Sequence, residues 1–321
     1  MWLSMAAVVV AVIALSLAAM RALAKSERLR LRITRLQIAV PDLPPDLDGL
    51  KIAFLSDLHV GMMYVPRQAI LDALDEFAPD LLVLGGDYAA GKPRVTEAAE
   101  LVEELAGRQP TAAIVGNTEY YLPWDLDDLT RRLEAVDGRL LRNQAWQVAR
   151  GDATIEVVGL DSPTYHMTDA DAALADCDPD VDLRIALVHS PAAWQDIGRL
   201  AAHIALCGHT HGGQVRIPGR EAPVTHPNYP RRLASGLFPL RTEPRPWAER
   251  LASHWDILRN AGLIRADASE GTLMYVSRGV GVSAPQVRLM CPPELVQIEI
   301  RPGTSNTPDA TGDDSGRGPG S

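Results

Sequence analysis

The chain has 321 residues, of which 46% are hydrophobic and 22% are charged, and its formal net charge is −10. The apolar fraction is large enough to build a core, which excludes a chain disordered throughout, and the acidic balance argues against a nucleic-acid-binding protein because phosphate backbones select basic surfaces. Three cysteines, Cys177, Cys207 and Cys291, have no CxxC spacing, which excludes a disulfide scaffold and a thiolate zinc site.

An uncharged apolar run opens the chain. Residues 2–20 would form a helix about 28 Å long, enough to span the hydrocarbon core of a bilayer. Basic residues follow this run, namely Arg21, Lys25, Arg28, Arg30, Arg32 and Arg35. Because basic flanks stay in the cytoplasm, residues 1–24 are predicted to be a single transmembrane anchor in the cytoplasmic membrane, with the C-terminal body on the cytoplasmic side. Small residues at 18–24 leave an export signal as the alternative, with a membrane- or wall-associated body outside.

From residue 50 onward, short apolar runs alternate with amphipathic stretches. Buried strands are predicted at residues 51–55, 81–84, 112–115, 184–188, 204–207, 274–277 and 295–300. Helices are predicted at residues 66–76, 95–105, 126–135 and 192–200, and a hairpin at residues 146–149 and 154–158. This order predicts an α/β sheet with a second sheet packed on it. The domain is expected to cover residues 50–301, after a basic juxtamembrane lead-in at residues 25–49 and before a disordered tail at residues 302–321.

Polar side chains follow five of these strands, and ligands of open α/β sheets bind beyond such strand ends. They are Asp57, His59, Asp87, Asn117, His189, His209 and His211. Oxygen and imidazole donors suit first-row ions such as Mn²⁺, Fe or Zn²⁺ better than Mg²⁺ or Ca²⁺. Seven donors are too many for one tetrahedral ion, so two ions that share a carboxylate are predicted. The remaining histidines are predicted to be ordinary packed or solvated residues, namely His166, His203, His226 and His254.

Together these motifs resemble the five blocks of the calcineurin-like metallophosphoesterase superfamily. The resemblance implies an α/β fold, a four-layer α/β/β/α sandwich, with a dinuclear metal centre. One ion would be held by Asp57, His59, Asp87 and His211. Asp87 would bridge to the second ion, which Asn117, His189 and His209 would complete. The anchor and the later runs at residues 275–281 and 288–294 are similar to a membrane-associated bacterial branch that includes UDP-diacylglucosamine pyrophosphatases and cell-wall-associated phosphodiesterases.

The reaction that this resemblance implies is hydrolysis of a phosphodiester or a diphosphate. A hydroxide held between two divalent ions would attack phosphorus, with Asp87, Asn117 and His209 as the catalytic residues. The implied substrate is a phosphorylated small molecule or a lipid-linked compound, with membrane lipid as a partner and no nucleic acid.

One position departs from the family pattern. The family has a histidine after Gly-Asn in the third block, where this chain has Thr118. That histidine serves the leaving group, and general acid catalysis is typically worth about 10²–10⁴-fold. A diphosphate or an aryl diester releases a stable anion, so its rate of hydrolysis would fall little without this histidine. Alternatively Tyr120, Tyr121 or His166 replaces the acid, or the chain is a catalytically silent metal-binding membrane module.

A second departure is a predicted insertion at residues 237–270, which holds Trp247, Leu251, Trp255 and Leu258 at helical spacing. This Trp/Leu stripe along one helix face predicts either a helix that packs on the core or an amphipathic lid that lies on the membrane. Nearby Arg231 and Arg232, together with Thr118, are candidate substrate-binding residues, because guanidinium groups pair with phosphates. The alternative for the arginines is solvated surface charge.

Overall fold

The computed structural model of this chain describes residues 2–217, 222–223, 225, 231–240, 263–269 and 271–303. Within that part, short aliphatic runs form strands. They are β1 Arg32–Val40, β2 Lys51–Leu55, β3 Leu81–Leu84, β4 Thr111–Ile114, β5 Gly138–Leu141, β6 Gln144–Arg150, β7 Ala153–Gly159, β8 Leu183–Leu187, β9 Ile204–Cys207, β10 Gly236–Pro239, β11 Leu263–Asp267, β12 Leu273–Val276 and β13 Glu294–Pro302. The α-helices are α1 Trp2–Glu27, α2 Arg67–Phe77, α3 Val95–Ala106, α4 Thr118–Tyr121, α5 Leu126–Glu134, α6 Ala170–Ala175 and α7 Trp194–Arg199.

The strands form two sheets that pack face to face. The seven-stranded sheet has the order β11-β1-β13-β2-β3-β4-β5, and the six-stranded sheet has the order β10-β12-β9-β8-β7-β6. Alternate residues of β2 explain the layering, because Phe54 belongs to the core between the sheets and Leu55 to the core beneath α2 and α3. On the other side, Ala186 of β8 packs with Ile197 of α7. The predicted four-layer α/β/β/α sandwich is therefore confirmed.

Strand directions decide which chain ends meet. Strands β2, β3, β4 and β5 run parallel, as do β7, β8, β9 and β12, so each set brings its carboxyl ends to one edge. Strand β1 is parallel to β13, and β13 is antiparallel to β2. The beginning of β1 therefore lies at the same edge as the end of β2, which places the end of α1 beside the turn that follows β2.

Strands β2, β3 and β9 have the predicted bounds, and most other predicted elements are shifted by one to three residues. The predicted helix at residues 192–200 begins as a 3₁₀ turn at Pro191–Ala193 and continues as the shorter α7. The prediction that residues 25–49 are only a basic lead-in differs from the structure, because β1 lies inside the first sheet. Arg32 and Arg35 suggested a charged flank, yet from Thr34 onward β1 alternates buried with more exposed residues between two neighbouring strands.

Three further strands escaped the sequence analysis. They are β5, β10 and β11, which have four or five residues each. Strands β10 and β11 lie at the two ends of the predicted insertion. The lid stripe with Trp247, Leu251, Trp255 and Leu258, the side chain of Arg232, and the tail from residue 304 lie outside the described residues.

The predicted anchor lies within α1, a 26-residue helix. Within the described part of the chain, Val9–Glu27 is long enough and apolar enough, with a mean hydropathy of 1.7, to cross a membrane, and 6% of its most apolar window is buried.

Candidate metal centre

The first group of donors lies at the ends of β2 and β9. Ligand atoms of Asp57, His59 and His211 lie within 4.8 Å of one another, and all three residues are buried. The Nε2 atoms of the two histidines are 3.2 Å apart, and His211 Nε2 lies 3.5 Å from Asp57 Oδ1. Two imidazoles that turn the same atom toward each other, beside a carboxylate, form a place for a cation.

The second group lies at the ends of β3, β8 and β9. Ligand atoms of Asp87, His189 and His209 lie within 4.8 Å of one another. His189 Nδ1 donates to the carbonyl of Gly85 at 2.7 Å, which leaves Nε2 to face the site. That Nε2 lies 3.1 Å from His209 Nδ1 and 3.3 Å from Asn117 Oδ1. All seven donors predicted from the sequence thus meet in two adjacent groups.

Asp87 connects the two groups. Its Oδ2 lies 3.5 Å from His59 Nε2 of the first group and 3.5 Å from His189 Nε2 of the second. Its Oδ1 accepts the amide hydrogen of Thr118 at 2.8 Å, which fixes the carboxylate plane. One oxygen that faces both groups is the arrangement that a bridging ligand requires.

The charges of the site favour a cation. Burial opposes ionisation of Asp87, but His189 and His59 outweigh it and hold the pKa of that carboxyl below its usual value. Burial likewise disfavours a charged His189, yet Asp87 raises the pKa of this imidazole to about 10. Burial and then the neighbouring His189 lower the pKa of His209 to about 3. The carboxylates stabilise one positive charge among several imidazoles, and a divalent ion can supply that charge without a proton.

The backbone at these positions is unusual. Five of the donors have left-handed φ angles, namely Asp57 (54°), His59 (43°), Asp87 (57°), His209 (70°) and His211 (51°). Each such residue costs of order 1 kcal/mol, and five together approach the net stability of a whole domain. The turns persist because the surrounding structure holds them, for example the His209 amide, which donates to Asp57 Oδ1 at 3.1 Å and to Oδ2 at 3.0 Å.

Two glycines let these turns approach closely. A Cβ on Gly208 would lie 1.8 Å from Ser56 Oγ, and one on Gly116 would lie 2.3 Å from Asp87 Oδ1. Both positions therefore exclude any side chain, which explains why the motifs have glycine before His209 and before Asn117.

Glu119 is a buried carboxylate beside the site that the sequence analysis did not assign. It is buried and accepts the amide hydrogens of Asp87 (2.9 Å), Tyr88 (2.9 Å) and Gly116 (2.7 Å). It also accepts the Thr118 hydroxyl at 2.8 Å. Burial and the neighbouring charge of Asp87 raise the pKa of this carboxyl. Its place three residues after Gly116 was visible in the sequence, but the donors that surround it come partly from another strand end.

Arg288 is a second buried charged residue near the site that the sequence analysis did not assign. Arginine is rarely buried in proteins. Its side chain is fully buried and donates to the carbonyls of Arg278 (2.7 Å), Gly279 (3.1 Å), Gly281 (2.6 Å) and Cys291 (3.0 Å). The loop that it holds packs on the first metal group, because the Gly281 amide donates to the carbonyl of Asp57 at 2.7 Å. Arg288 thus supports the turn that carries Asp57 and His59.

The candidates for the acid that would protonate the leaving group come from two segments, because Thr118, Tyr120 and Tyr121 lie on α4 and His166 lies between β7 and α6. Thr118 is buried and its hydroxyl donates to Glu119. Tyr120 donates to Asp161 at 2.5 Å, and burial together with this bond raises the pKa of Tyr120 to about 12. Tyr121 and His166 are exposed. Arg231 is exposed as well, so its role in substrate binding stays a prediction.

A four-layer sandwich with two histidine and carboxylate groups at its strand ends defines a metal-dependent phosphohydrolase class. The profile of the calcineurin-like phosphoesterase family matches residues 50–213. The chain belongs to this family, whose members use divalent metals, and it is a metallophosphoesterase.

Among similar proteins, the phosphodiesterase YaeI of Escherichia coli is 30% identical over 261 residues, which are 78% of this chain and 82% of that protein. The UDP-2,3-diacylglucosamine pyrophosphatase LpxG of Chlamydia trachomatis is 23% identical to this chain, and the matched region covers 83% of this chain and 88% of that protein. A transmembrane protein with a metallophosphoesterase domain from Danio rerio is 28% identical over 84% of this chain, which spans 57% of that longer protein.

Proposed function

We propose that the chain is a membrane-tethered, dinuclear metal-dependent hydrolase of phosphodiesters or diphosphates, including lipid-linked ones. The observation on which this rests is Asp87 Oδ2, which lies 3.5 Å from a histidine nitrogen of each donor group. A carboxylate oxygen that faces a histidine nitrogen of each group supports a pair of ions rather than one. The names of the Escherichia coli and Chlamydia relatives support a phosphodiester and a lipid-linked diphosphate as substrate classes.

The proposed ligands follow the two groups. Asp57, His59 and His211 would hold one ion, His189, His209 and Asn117 the other, and Asp87 both. When bound, such a pair of Mn, Fe or Zn ions supplies Lewis acidity that activates water and neutralises phosphoryl oxygens. The protein itself fixes the ligand directions, for example through the hydrogen bond from His189 Nδ1 to the carbonyl of Gly85 at 2.7 Å.

The surroundings of Thr118 support a substrate with a stable leaving anion. The Thr118 hydroxyl is committed to Glu119, and Tyr120, with a pKa of about 12, is a weak proton donor at neutral pH. A diphosphate or an aryl diester needs little help from an acid when its bond breaks.

The first test is hydrolysis of bis(p-nitrophenyl) phosphate by the purified chain loaded with Mn²⁺. Its leaving group needs no proton, so an intact centre should hydrolyse it, whereas a silent metal-binding module should not. The Asp87→Asn variant is the control for contaminating phosphatases.

A second test replaces the threonine. In Thr118→His, diphosphate turnover should stay within about threefold, while esters with poor leaving groups should gain toward the 10²–10⁴-fold range of general acid catalysis. A large gain on the diphosphate would contradict the proposed substrate class.

The membrane side needs its own measurement. We propose that the body is cytoplasmic, because Arg21, Lys25 and the exposed Arg30 follow the apolar run. A reporter active only in the cytoplasm, fused to the C-terminus, should be active. A signal from an export-dependent reporter at the same position would instead place the enzyme outside the cell membrane.

A further inference from the structure

The last residue of α1, Glu27, and the residue that follows it, Arg28, are fastened to two loops of the body. Arg28 Nη1 donates to the carbonyl of Gln286 at 3.0 Å, and its guanidinium lies 3.5 Å from the centroid of the Tyr64 ring. The Tyr64 hydroxyl donates to Gln286 Oε1 at 2.6 Å, and the amide of Met290 donates to the Glu27 carboxylate. These bonds fix the direction in which α1 leaves the body.

The same two loops border the metal centre. The Met62 amide donates to the carbonyl of His59 at 2.7 Å, two residues before Tyr64. Gln214, three residues after His211, accepts the Ser283 amide at 2.9 Å and donates to the carbonyl of Pro285 at 3.2 Å. The helix end and the first donor group are therefore connected through short, hydrogen-bonded segments at the strand edge where both lie.

Three large apolar side chains are exposed around this helix end. Leu29, Ile217 and Met290 are 52%, 45% and 48% exposed, and we call them the apolar rim. Met290 is bonded to Glu27 through its amide, and Ile217 follows Arg216, whose amide donates to the carbonyl of Leu289 at 2.9 Å. The three residues thus lie beside the contacts between the helix end and the body.

The chemistry of this region matches a lipid surface. Arg21, Lys25 and Arg30 are exposed along the helix end, and such residues attract anionic headgroups. If the apolar run ends at residue 20, the seven residues to Glu27 extend about 10 Å, somewhat more than the roughly 5–7 Å depth of one headgroup layer. The candidate membrane span extends to Glu27, and insertion to that residue would bring the apolar rim closer still.

We propose that the apolar rim rests in the headgroup layer of the bilayer that α1 spans, so that the metal centre works at the membrane surface. The inference depends on the tether in the proposed function and adds to it the face of the body that contacts lipid. The occupant is the lipid headgroup layer, because the apolar rim is continuous with the helix that enters it. A substrate phosphate carried in a lipid headgroup would then lie at the height of the site.

The test uses the full chain in vesicles of phosphatidylethanolamine and phosphatidylglycerol, in a Cys177→Ser background that removes the half-buried thiol. A bimane fluorophore is attached to Met290→Cys or to Leu29→Cys, and quenching by a lipid with a nitroxide on its headgroup is measured. The matched control is Asp152→Cys, an exposed site in the β6–β7 turn at the opposite end of the strands. Quenching at the apolar rim should exceed that at residue 152 at least about threefold, as expected for side chains in the interface.

Equal quenching at residues 29, 290 and 152 would overturn the proposal. A third label at Val12→Cys, exposed on α1, reports the tether separately through a nitroxide on the acyl chain. If the label at residue 12 is quenched and the labels at the apolar rim are not, only the proposed docking face is excluded. If the label at residue 12 is not quenched, the tether is excluded and the proposal fails with it. Fluorescence needs no turnover, so an inactive chain with a quenched rim would contradict only the proposed hydrolase.

Discussion

The segments that follow β3 and β4 each bring a buried carboxylate to the metal site, and they use it in opposite ways. Asp87 gives one oxygen to the Thr118 amide and leaves Oδ2 facing His59 and His189. Glu119 gives both oxygens to protein donors, three amides and one hydroxyl. One carboxylate keeps lone pairs for a cation, whereas the other ties two turns together. Residue type alone does not distinguish these two roles. The number of protein hydrogen-bond donors around each carboxylate does.

The largest effect is expected for the bridging ligand. Asp87→Asn keeps the size and the acceptor for the Thr118 amide but removes the charge shared by the two groups. Metal content should fall, and kcat/KM on bis(p-nitrophenyl) phosphate should drop by at least about 10²–10³-fold, the range for losing one charge-stabilising contact. Elemental analysis and kinetics measure both, with the exposed Asp75→Asn as control. Full metal content with unchanged turnover would contradict the bridging role.

Glu119→Gln should act on stability before it acts on metal content. The amide nitrogen of glutamine cannot accept, so one pair of donors loses its partner at a cost of about 1–3 kcal/mol each in the free energy of unfolding. Activity should fall by about 10–100-fold because the ligands are less well oriented. Urea unfolding and metal analysis separate the two effects, with the exposed Glu97→Gln as control. If metal content fell without any loss of stability, Glu119 would be a ligand and the comparison with Asp87 would fail.

Arg288→Lys extends the comparison to the other donor group. A single ammonium cannot reach the four carbonyls that the guanidinium joins, so the loop on Asp57 and His59 should loosen. Metal affinity should fall by about 10-fold, at the lower end of the effect of changing a residue that positions metal ligands. Calorimetric metal titration measures it, with Arg265→Lys on β11 as the exposed control. An unchanged dissociation constant would exclude this supporting role.

The smallest effect is expected at Thr118. Thr118→Val keeps the shape and removes one hydrogen bond to Glu119, worth about 1 kcal/mol of stability. Metal content and diphosphate turnover should stay close to those of the parent chain, and Thr118→Ser should restore the stability. A tenfold loss of turnover in the valine variant, recovered by serine, would show instead that the hydroxyl acts on the substrate.

Much of this site followed from the sequence because strand ends and ligands coincide. Asp87 comes directly after the Gly-Gly that ends β3, and parallel strands bring their carboxyl ends together. Strand β1 was not predicted from the sequence, because its pattern of arginines among apolar residues is also typical of a segment that flanks a membrane helix. The roles of Glu119 and Arg288 depend on amides and carbonyls that other turns supply. Such partners leave no pattern of spacing, so only the folded chain displays them.

The left-handed turns at Asp57, His59, Asp87, His209 and His211 have a consequence for anyone who would rebuild this centre elsewhere. A designer who grafted only the seven side chains onto another scaffold would obtain the donors pointing in the wrong directions. The graft would have to include the glycines at 116 and 208 and the buried acceptors that hold each peptide in place. The backbone conformation of these turns is the part that must be transferred, because it sets the direction of the donor atoms.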